Sequence, residues 1–222
     1  MLALKLTALP EAQRLLWRDL EQTPRTFVLY GGTAIALRLG HRQSEDFDFF
    51  SNDSFEPSSL LTSLEYLRDA RVDQRGDNTL TVLVDRSGPV KLSFFGDVRM
   101  ARVEDPELAA DNGLQVASLL DLAATKLKTI QQRAEAKDYL DLGAVLAAGI
   151  KLSDALGAAR AVYGNIFNPM AALKALTYFE DGNLRSLSSE AKRFLVTAAE
   201  AVRFESIPLV RAKPGIAIGE AP

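Results

Sequence analysis

The chain has no cysteine and only one histidine among its 222 residues. The lack of cysteine excludes disulfide bonds and thiolate metal sites, and it fits the cytoplasmic location that we expect. A single histidine, His41, is too few for a histidine-based zinc site. No apolar run approaches the roughly 18 residues of a membrane span. The first residues also lack the pattern of a secretory signal, so we expect neither membrane insertion nor export.

The overall composition is that of a globular protein, and its charge is unevenly distributed. Hydrophobic residues make up 47% and charged residues 25% of the chain, and the net charge is −3. Residues 1–112 hold 13 Lys and Arg against 18 Asp and Glu, whereas residues 113–222 hold 13 against 11. Local patches can steer anions despite a negative total charge. The distribution favours a polyanionic substrate that approaches from the C-terminal half.

The hydrophobic pattern changes character near residue 113. Before it, the pattern predicts strands over 26–30, 46–50, 80–84 and 90–95, with helices over 10–22, 33–39 and 57–70. After it, Ala- and Leu-rich segments predict helices only, over 118–132, 136–148, 153–163, 170–178 and 188–203. We therefore predict an α+β fold: a mixed sheet with flanking helices over 1–112, an all-helical lobe over 113–205, and an irregular or mobile tail over 206–222.

The first candidate motif joins a glycine pair, Gly31-Gly32, to two aspartates on the second predicted strand. Residues two apart on a strand point to the same side, so Asp46 and Asp48 project together while Phe47 and Phe49 face the core. Paired carboxylates suit a hard divalent cation, and glycine amides at a helix N-terminus suit a phosphate. A polar strand edge would explain the aspartates alone. The glycines, together with Arg42 and Ser44 just before the acids, favour a functional site for nucleotidyl transfer.

The second candidate motif lies on the first two helices of the C-terminal half. Lys126 and Arg133 are seven residues apart and share one helical face, and Asp138 and Asp141 are three apart and share the face of the next helix. Lys137 and Asp141 also have the spacing of a surface ion pair, which alone would explain Lys137. The spacing leaves the role of Lys126 open.

Together the two motifs resemble those of the AbiEii/AbiGii toxin family of nucleotidyltransferase-fold proteins. The resemblance spans roughly residues 27–180 and has both motifs in the expected order. It is carried by Gly31-Gly32-Thr33-Ala34, Gly40-His41-Arg42, Ser44 and Asp46-Phe47-Asp48, and then by Asp121 to Lys126, Arg133, Lys137-Asp138 and Asp141-Leu142.

The resemblance implies an Mg²⁺- or Mn²⁺-dependent enzyme that transfers a nucleotide from an NTP to an acceptor. Some relatives act on the 3′ end of tRNA, as toxins that are paired with an antitoxin. The implied site is one cleft between the lobes. In it, Asp46 and Asp48 bind the metal, and we expect them to bridge two such ions that clamp the attacking and leaving oxygens. Lys126, Asp138 and Asp141 complete the catalytic set, and the nucleotide meets Gly31, Gly32, Thr33, Arg42, Ser44, Arg133 and Lys137.

One position departs from the pattern of nucleotidyltransferases. These enzymes usually supply a third carboxylate from a later strand, and the corresponding residue here is Ser93. A serine hydroxyl is a poor metal ligand and no base near neutral pH. Asp138, Asp141 or Asp97 could take its place. The alternative function is a nucleotidyltransferase-like module that binds a nucleotide or a protein partner and has little or no catalytic activity.

Overall fold

The computed structural model describes residues 1–219, which form two compact units. The sheet unit comprises residues 1–100, 105–118 and the segment that begins at Gly215. The helical unit comprises residues 101–104 and 119–214. The chain therefore passes from one unit to the other after residues 100, 104, 118 and 214.

The sheet unit is built on seven strands. They are β1 (Val28–Tyr30), β2 (Asp46–Phe50), β3 (Arg71–Gly76), β4 (Thr79–Asp85), β5 (Pro89–Phe95), β6 (Glu107–Leu108) and β7 (Gln115–Val116). Their order in the sheet is β3-β4-β5-β2-β1-β7-β6. Strand β2 runs antiparallel to β1 and parallel to β5, so it lies at the centre of a mixed sheet. Together with the helices around it, this sheet confirms the predicted α+β class.

Aromatic side chains fix one face of strand β2. Phe47 and Phe49 are fully buried, as the alternation along the strand predicts. Phe49 stacks on Phe94 of β5 with ring centroids 5.0 Å apart, and Trp17 stacks on Phe47 at 6.2 Å. Burying each large apolar side chain stabilises the fold by about 1.5–3 kcal/mol. Asp46 and Asp48, which alternate with Phe47 and Phe49 along β2, are thereby held on the opposite face of the sheet.

Within the described residues, three α-helices belong to the sheet unit, and three of its strands, β3, β6 and β7, were not predicted. The helices are α1 (Glu11–Leu16), α2 (Gly31–Leu39) and α3 (Pro57–Ser63). The helix expected over 57–70 ends at residue 63, and strand β3 follows a short 3-10 turn at Glu65–Leu67. Every residue of β3 is exposed, so its sequence carries no hydrophobic alternation. Its pairing with β4 defines it as a strand.

The helical unit contains five helices close to the predicted ranges. They are α4 (Leu119–Ile130), α5 (Ala136–Ala147), α6 (Leu152–Tyr163), α7 (Pro169–Ala175) and α8 (Ser189–Glu200). Side chains cap several N-termini. Asn168 accepts the Met170 N–H at 3.0 Å, and Ser188 accepts the Ala191 N–H at 3.1 Å. The side chain of Asn183 accepts the Ala136 N–H at 2.6 Å, so a distant loop caps α5.

The division of the chain differs from the predicted boundary at 112/113. Strand β7 pairs with β1, and Arg38 of α2 donates to the carbonyl oxygens of Ala117 and Val116 at 2.8 and 3.1 Å. These contacts keep the chain in the sheet unit up to residue 118. The reason is long-range pairing by a two-residue strand, which leaves no local pattern in the sequence.

The predicted tail, residues 206–222, also divides between the units. Irregular backbone up to residue 214 belongs to the helical unit, and Gly215–Gly219 belongs to the sheet unit. Gln115 donates to the Ile218 carbonyl at 3.0 Å and accepts its N–H at 2.9 Å. Asn52 accepts the N–H of Ile216, which is fully buried. The segment is thus irregular but anchored up to Gly219, and residues 220–222 lie outside the described part.

No single helix in residues 1–219 has the length and apolar composition needed to cross a membrane. The helices Ala136–Ala147 and Leu152–Ile166 meet that requirement only as a bent pair, with 118° between them. Apolar residues of both, including Val145 and Leu156, are fully buried inside the helical unit. Both helices are therefore buried in the same way as the core helices of a globular unit.

Gln13 on α1 generates a stability prediction. The residue is 2% exposed, and neither its side-chain oxygen nor its nitrogen has a hydrogen-bond partner. A buried amide without partners costs roughly 1–3 kcal/mol. Gln13→Leu is expected to raise the free energy of unfolding by about 1 kcal/mol, measured by urea denaturation.

The matched control is Gln132→Leu, because Gln132 is exposed. It should change the free energy of unfolding by less than about 0.5 kcal/mol. A loss of stability in Gln13→Leu would show that the buried amide is satisfied, for example by an internal water.

Candidate active site

Strand β2 presents the two aspartates on the sheet face opposite the aromatic core. Asp46 and Asp48 are half-buried, whereas Phe47 and Phe49 between and beyond them are fully buried. The two carboxylates therefore share one face, as the sequence predicts. We call this surface, made by Asp46 and Asp48 with their neighbours Lys91 and Ser93 on β5, the acidic face.

The register of β2 and β5 identifies the neighbours of each aspartate. Asp46 pairs with Lys91, and Asp48 pairs with Ser93. Residues paired across neighbouring strands point to the same face. Ser93 thus lies beside Asp48, at the position where nucleotidyltransferases usually have a third carboxylate. Asp97 does not take that place, because it is exposed in the turn after β5, where its N–H donates to the Asp53 carbonyl at 3.0 Å.

The turn from β1 into α2 comes very close to Asp48. Gly31 has a φ of +75°, a conformation that glycine adopts without strain. A Cβ atom at this position would lie 2.6 Å from Oδ2 of Asp48. Tyr30, the residue before α2, supplies no side-chain cap to the helix. The first turn of α2 thus lies beside a carboxylate, and the helix dipole is positive at this end.

Two further residues of the first motif hold the turn and the strand together. Thr33 and Ser44 are buried, and their hydroxyl oxygens lie 2.9 Å apart. The Thr33 hydroxyl also contacts the backbone carbonyl of Asp46. Arg42 donates to the carbonyl of Gln43 at 2.8 Å. These contacts give Thr33 and Ser44 a structural role in positioning Asp46.

The second motif forms a buried ionic cluster within the helical unit. The Lys126 ammonium lies 2.7 Å from Oδ1 of Asp138 and 2.7 Å from Oδ2 of Asp141. Both aspartates are fully buried, and the Lys126 side chain is 8% exposed. Arg133 adds a hydrogen bond from Nε to Oδ2 of Asp138 at 2.8 Å. The predicted helical face shared by Lys126 and Arg133 is wrong for Arg133, because α4 ends at Ile130 and Arg133 lies in the loop after it. The sequence also does not show that the lysine and the two aspartates join.

The electrostatics of this cluster favour the charged form of the Asp138 carboxylate. Burial acts to raise the pKa of Asp138, but the hydrogen bond from Arg133 and the charge of Lys126 outweigh it. The pKa of Asp138 is therefore held below its ordinary range. Lys137 stands apart from the cluster: it pairs with Glu135 at 3.1 Å, and its side chain is half exposed. Its spacing to Asp141 does not produce the surface ion pair, because Asp141 is fully buried.

Sequence reasoning did not identify two residues near these motifs as parts of them. Lys91 beside Asp46 becomes visible only through the pairing of β2 with β5. Asp121 contributes to the family resemblance, but the sequence analysis assigns it no part in the site. Its carboxylate accepts the N–H groups of Val103 and Glu104 at 2.7 and 2.9 Å, so it ties residues 101–104 to α4. The available signal in the sequence was an aspartate in the first turn of a predicted helix.

The acidic face fits one divalent cation better than two. Its two carboxylates supply the hard oxygen ligands that Mg²⁺ and Mn²⁺ prefer. Residues 1–219 contain no group of three or more Asp, Glu or His side chains placed to hold a metal ion. A two-metal centre of the usual kind draws on more carboxylates than these two.

Comparison with known proteins gives the family. The chain matches the family described as "Nucleotidyl transferase AbiEii toxin, Type IV TA system" over residues 14–207. It is 35% identical to "Uncharacterized protein aq_aa25" of Aquifex aeolicus (strain VF5) over 158 residues, which are 70% of this chain and 74% of that protein.

Solved structures show the same fold. MenT4, a nucleotidyltransferase toxin from Mycobacterium tuberculosis H37Rv, superimposes with a TM-score of 0.64 at 18% identity, covering 88% of this chain and 84% of MenT4. An antigenic nucleotidyltransferase-like protein from Paracoccidioides brasiliensis gives a TM-score of 0.52 at 16% identity, covering 82% and 87%. With the family match over most of its length and both motifs in place, the chain belongs to the AbiEii family of nucleotidyltransferase toxins and is a nucleotidyltransferase.

Proposed function

We propose that the protein transfers a nucleotide from an NTP to an RNA acceptor such as the 3′ end of tRNA, with Mg²⁺ or Mn²⁺ held by Asp46 and Asp48. The observation that carries the proposal is the placement of these two carboxylates on one face of β2, with the Gly31 turn against Asp48. Membership of a type IV toxin–antitoxin family implies an NTP substrate and a cognate antitoxin. The proposed location is the cytoplasm, where NTPs and RNA are available.

The proposed reaction is an in-line displacement at the α-phosphorus. The acceptor hydroxyl oxygen bonds to the α-phosphorus, the bond to the bridging oxygen breaks, pyrophosphate leaves, and water takes up the hydroxyl proton. A bound divalent cation would neutralise charge on the phosphates. Asp46 and Asp48 would hold and orient that cation. The backbone of Gly31 and Gly32 at the N-terminus of α2 is proposed to receive phosphate oxygens. Catalysis of this kind rests on positioning and electrostatics.

The other nucleotide-binding residues divide by their surroundings. Thr33 and Ser44 are proposed to act through the shape of the turn, since their hydroxyls contact each other. Arg42, Arg133 and Lys137 remain proposed contacts to phosphate or RNA. The Arg133 and Lys137 side chains are 46% and 53% exposed, which leaves surface on both for an anion.

The cluster of Lys126, Asp138 and Asp141 is proposed to be the second group of catalytic residues. Replacing a buried ion pair by apolar residues of similar volume is often neutral or stabilising, so stability alone gives little reason to keep one. Two carboxylates at 2.7 Å fix the Lys126 ammonium in one position. Lys126 is proposed to contact the triphosphate, and Asp138 and Asp141 to position it.

The position of Ser93 is the one observation that favours the alternative, a binding module with weak catalysis. Nucleotide binding without transfer in the presence of each NTP, Mg²⁺ and total RNA would support that alternative.

Asp46→Asn and Asp48→Asn test the metal site directly. Each variant is expected to lower Mg²⁺-dependent transfer by about 100-fold or more, because it removes one of the two carboxylates proposed to hold the cation that neutralises the phosphates. Each should remain folded and gain slightly in stability without metal, because two like charges on one face repel. Calorimetric titration with Mg²⁺ and NTP, with thermal melts, measures both effects.

The control is Asp53→Asn, since Asp53 is exposed beyond the end of β2. It should leave Mg²⁺-dependent binding unchanged. The proposal fails if Asp46→Asn and Asp48→Asn bind the metal–nucleotide complex as well as the parent protein does.

Gly31→Ala tests the close approach of the turn to Asp48. The alanine would carry about 1–2 kcal/mol of backbone strain at a positive φ, and its Cβ would collide with the Asp48 carboxylate. We expect both a loss of stability and weaker Mg²⁺–NTP binding, measured by urea denaturation and calorimetry.

Gly113→Ala separates these two effects. Gly113 has a φ of +69°, and a Cβ there would meet no atom within 4 Å. It should therefore show the strain alone and bind Mg²⁺–NTP normally. Equal binding by both variants would contradict a role for the Gly31 turn in positioning Asp48.

Lys126→Met tests the buried cluster. It leaves two buried carboxylates short of a cation, and we expect it to cost about 3–5 kcal/mol of stability, measured by urea denaturation.

Asp138 contributes stability at pH values above its unfolded pKa of about 4, because its folded pKa is lowered. This contribution is lost as the pH falls through the folded pKa. The stability difference between the parent and Asp138→Asn should therefore shrink below about pH 4, measured by urea denaturation.

Lys137→Met is the control for the cluster. Its exposed pair with Glu135 should contribute at most about 1 kcal/mol. A Lys126→Met variant as stable as Lys137→Met would show that the cluster does not carry the stability assigned to it.

A further inference from the structure

The acidic face combines two carboxylates with one lysine and one serine, and this combination bears on how many metal ions it holds. Across β2 and β5, one row contains Asp46 and Lys91, and the next contains Asp48 and Ser93. Strand β4 continues the rows with Leu83 and Thr81. Beyond Asp46 and Asp48, neither row contains an acid.

Lys91 is half-buried and lies one strand away from Asp46, about 4.8 Å in backbone spacing. Within the described residues it forms no ion pair with an acid and no side-chain hydrogen bond. Lys91 is therefore suited to receive an anion that is brought to this face.

The acids named as substitutes for a third carboxylate are committed elsewhere. Asp138 and Asp141 are fully buried inside the helical unit and bonded to Lys126, with Arg133 also on Asp138. Asp97 lies past the end of β5, two residues beyond Phe95. A second cation at the acidic face would have only oxygens shared with the first, and the Lys91 ammonium would repel it.

We propose that the acidic face binds a single divalent cation through Asp46 and Asp48, and that Lys91 supplies the second positive charge by contacting the phosphates of the NTP. This inference rests on the proposed function and specifies the site further. Lys91 replaces part of the charge neutralisation that a second metal ion provides in other nucleotidyltransferases. A second cation then lacks a ligand, because Ser93 lies where a third carboxylate would be needed.

The test counts Mn²⁺ ions bound per chain in the presence of a non-hydrolysable NTP analogue, by electron paramagnetic resonance of free Mn²⁺. The parent protein is expected to hold one Mn²⁺ per nucleotide complex, and Ser93→Asp is expected to hold two. Two ions in the parent would overturn the inference and leave the proposed function standing. An Asp48→Asn variant that retains the parent's Mn²⁺ would instead overturn the proposed function.

Thr81→Asp is the matched control for the added carboxylate. Thr81 pairs with Ser93 from β4 and is equally buried, at 4% exposure, but it lies one strand farther from Asp48. It should still bind one Mn²⁺. The count in the parent protein decides the question even if Ser93→Asp does not fold.

Lys91 has a separate readout in nucleotide affinity. Lys91→Met should weaken binding of the Mn²⁺–nucleotide complex by about 10- to 100-fold, the effect of losing a hydrogen bond to a charged group, without changing the Mn²⁺ count. Lys91→Arg should restore most of the affinity because it keeps the charge. Parent-like affinity in Lys91→Met would overturn the assigned role of Lys91.

Discussion

The parallel pairing of β2 with β5 determines which groups stand beside the two aspartates. It sets Lys91 against Asp46 and Ser93 against Asp48, on the face opposite a stacked aromatic core. A slip of one residue would turn all of these side chains to the other face. Because Phe47 and Phe49 are fully buried, such a slip would cost several large apolar contacts. The hydrophobic core therefore specifies the polar arrangement of the site.

A second constraint is the contact between the Gly31 turn and Asp48. The positive φ and the missing Cβ at Gly31 allow the backbone to approach the carboxylate closely. Thr33 and Ser44 then connect the first turn of α2 to the start of β2. In the helical unit, buried ion pairs also fix the position of a side chain, since Asp138 and Asp141 hold the Lys126 ammonium in place. Both arrangements place charged groups in partly or fully buried positions, where apolar side chains would avoid the cost of desolvating a charge. Such departures from the rules of stable packing are typical of functional sites.

Local pattern in the sequence predicts the parts of this protein whose burial repeats regularly. Strand β2 alternates apolar and acidic residues, and the helices of the helical unit are long and Ala- and Leu-rich, so these elements were predictable. Strand β3 was not, since all of its residues are exposed and its ladder with β4 defines it. The neighbours of the aspartates and the partners of Lys126 depend on pairing between distant segments. No periodicity within one segment encodes such pairing.

The most direct test of nucleotidyl transfer follows the phosphorus atoms. The protein is incubated with total RNA, Mg²⁺ and each NTP labelled at either the α- or the γ-phosphate, with Asp48→Asn in parallel. The account predicts that α-label from at least one NTP becomes attached to RNA, that γ-label is released with pyrophosphate, and that Asp48→Asn transfers neither. Transfer of γ-label, or equal transfer of α-label by Asp48→Asn, would contradict it.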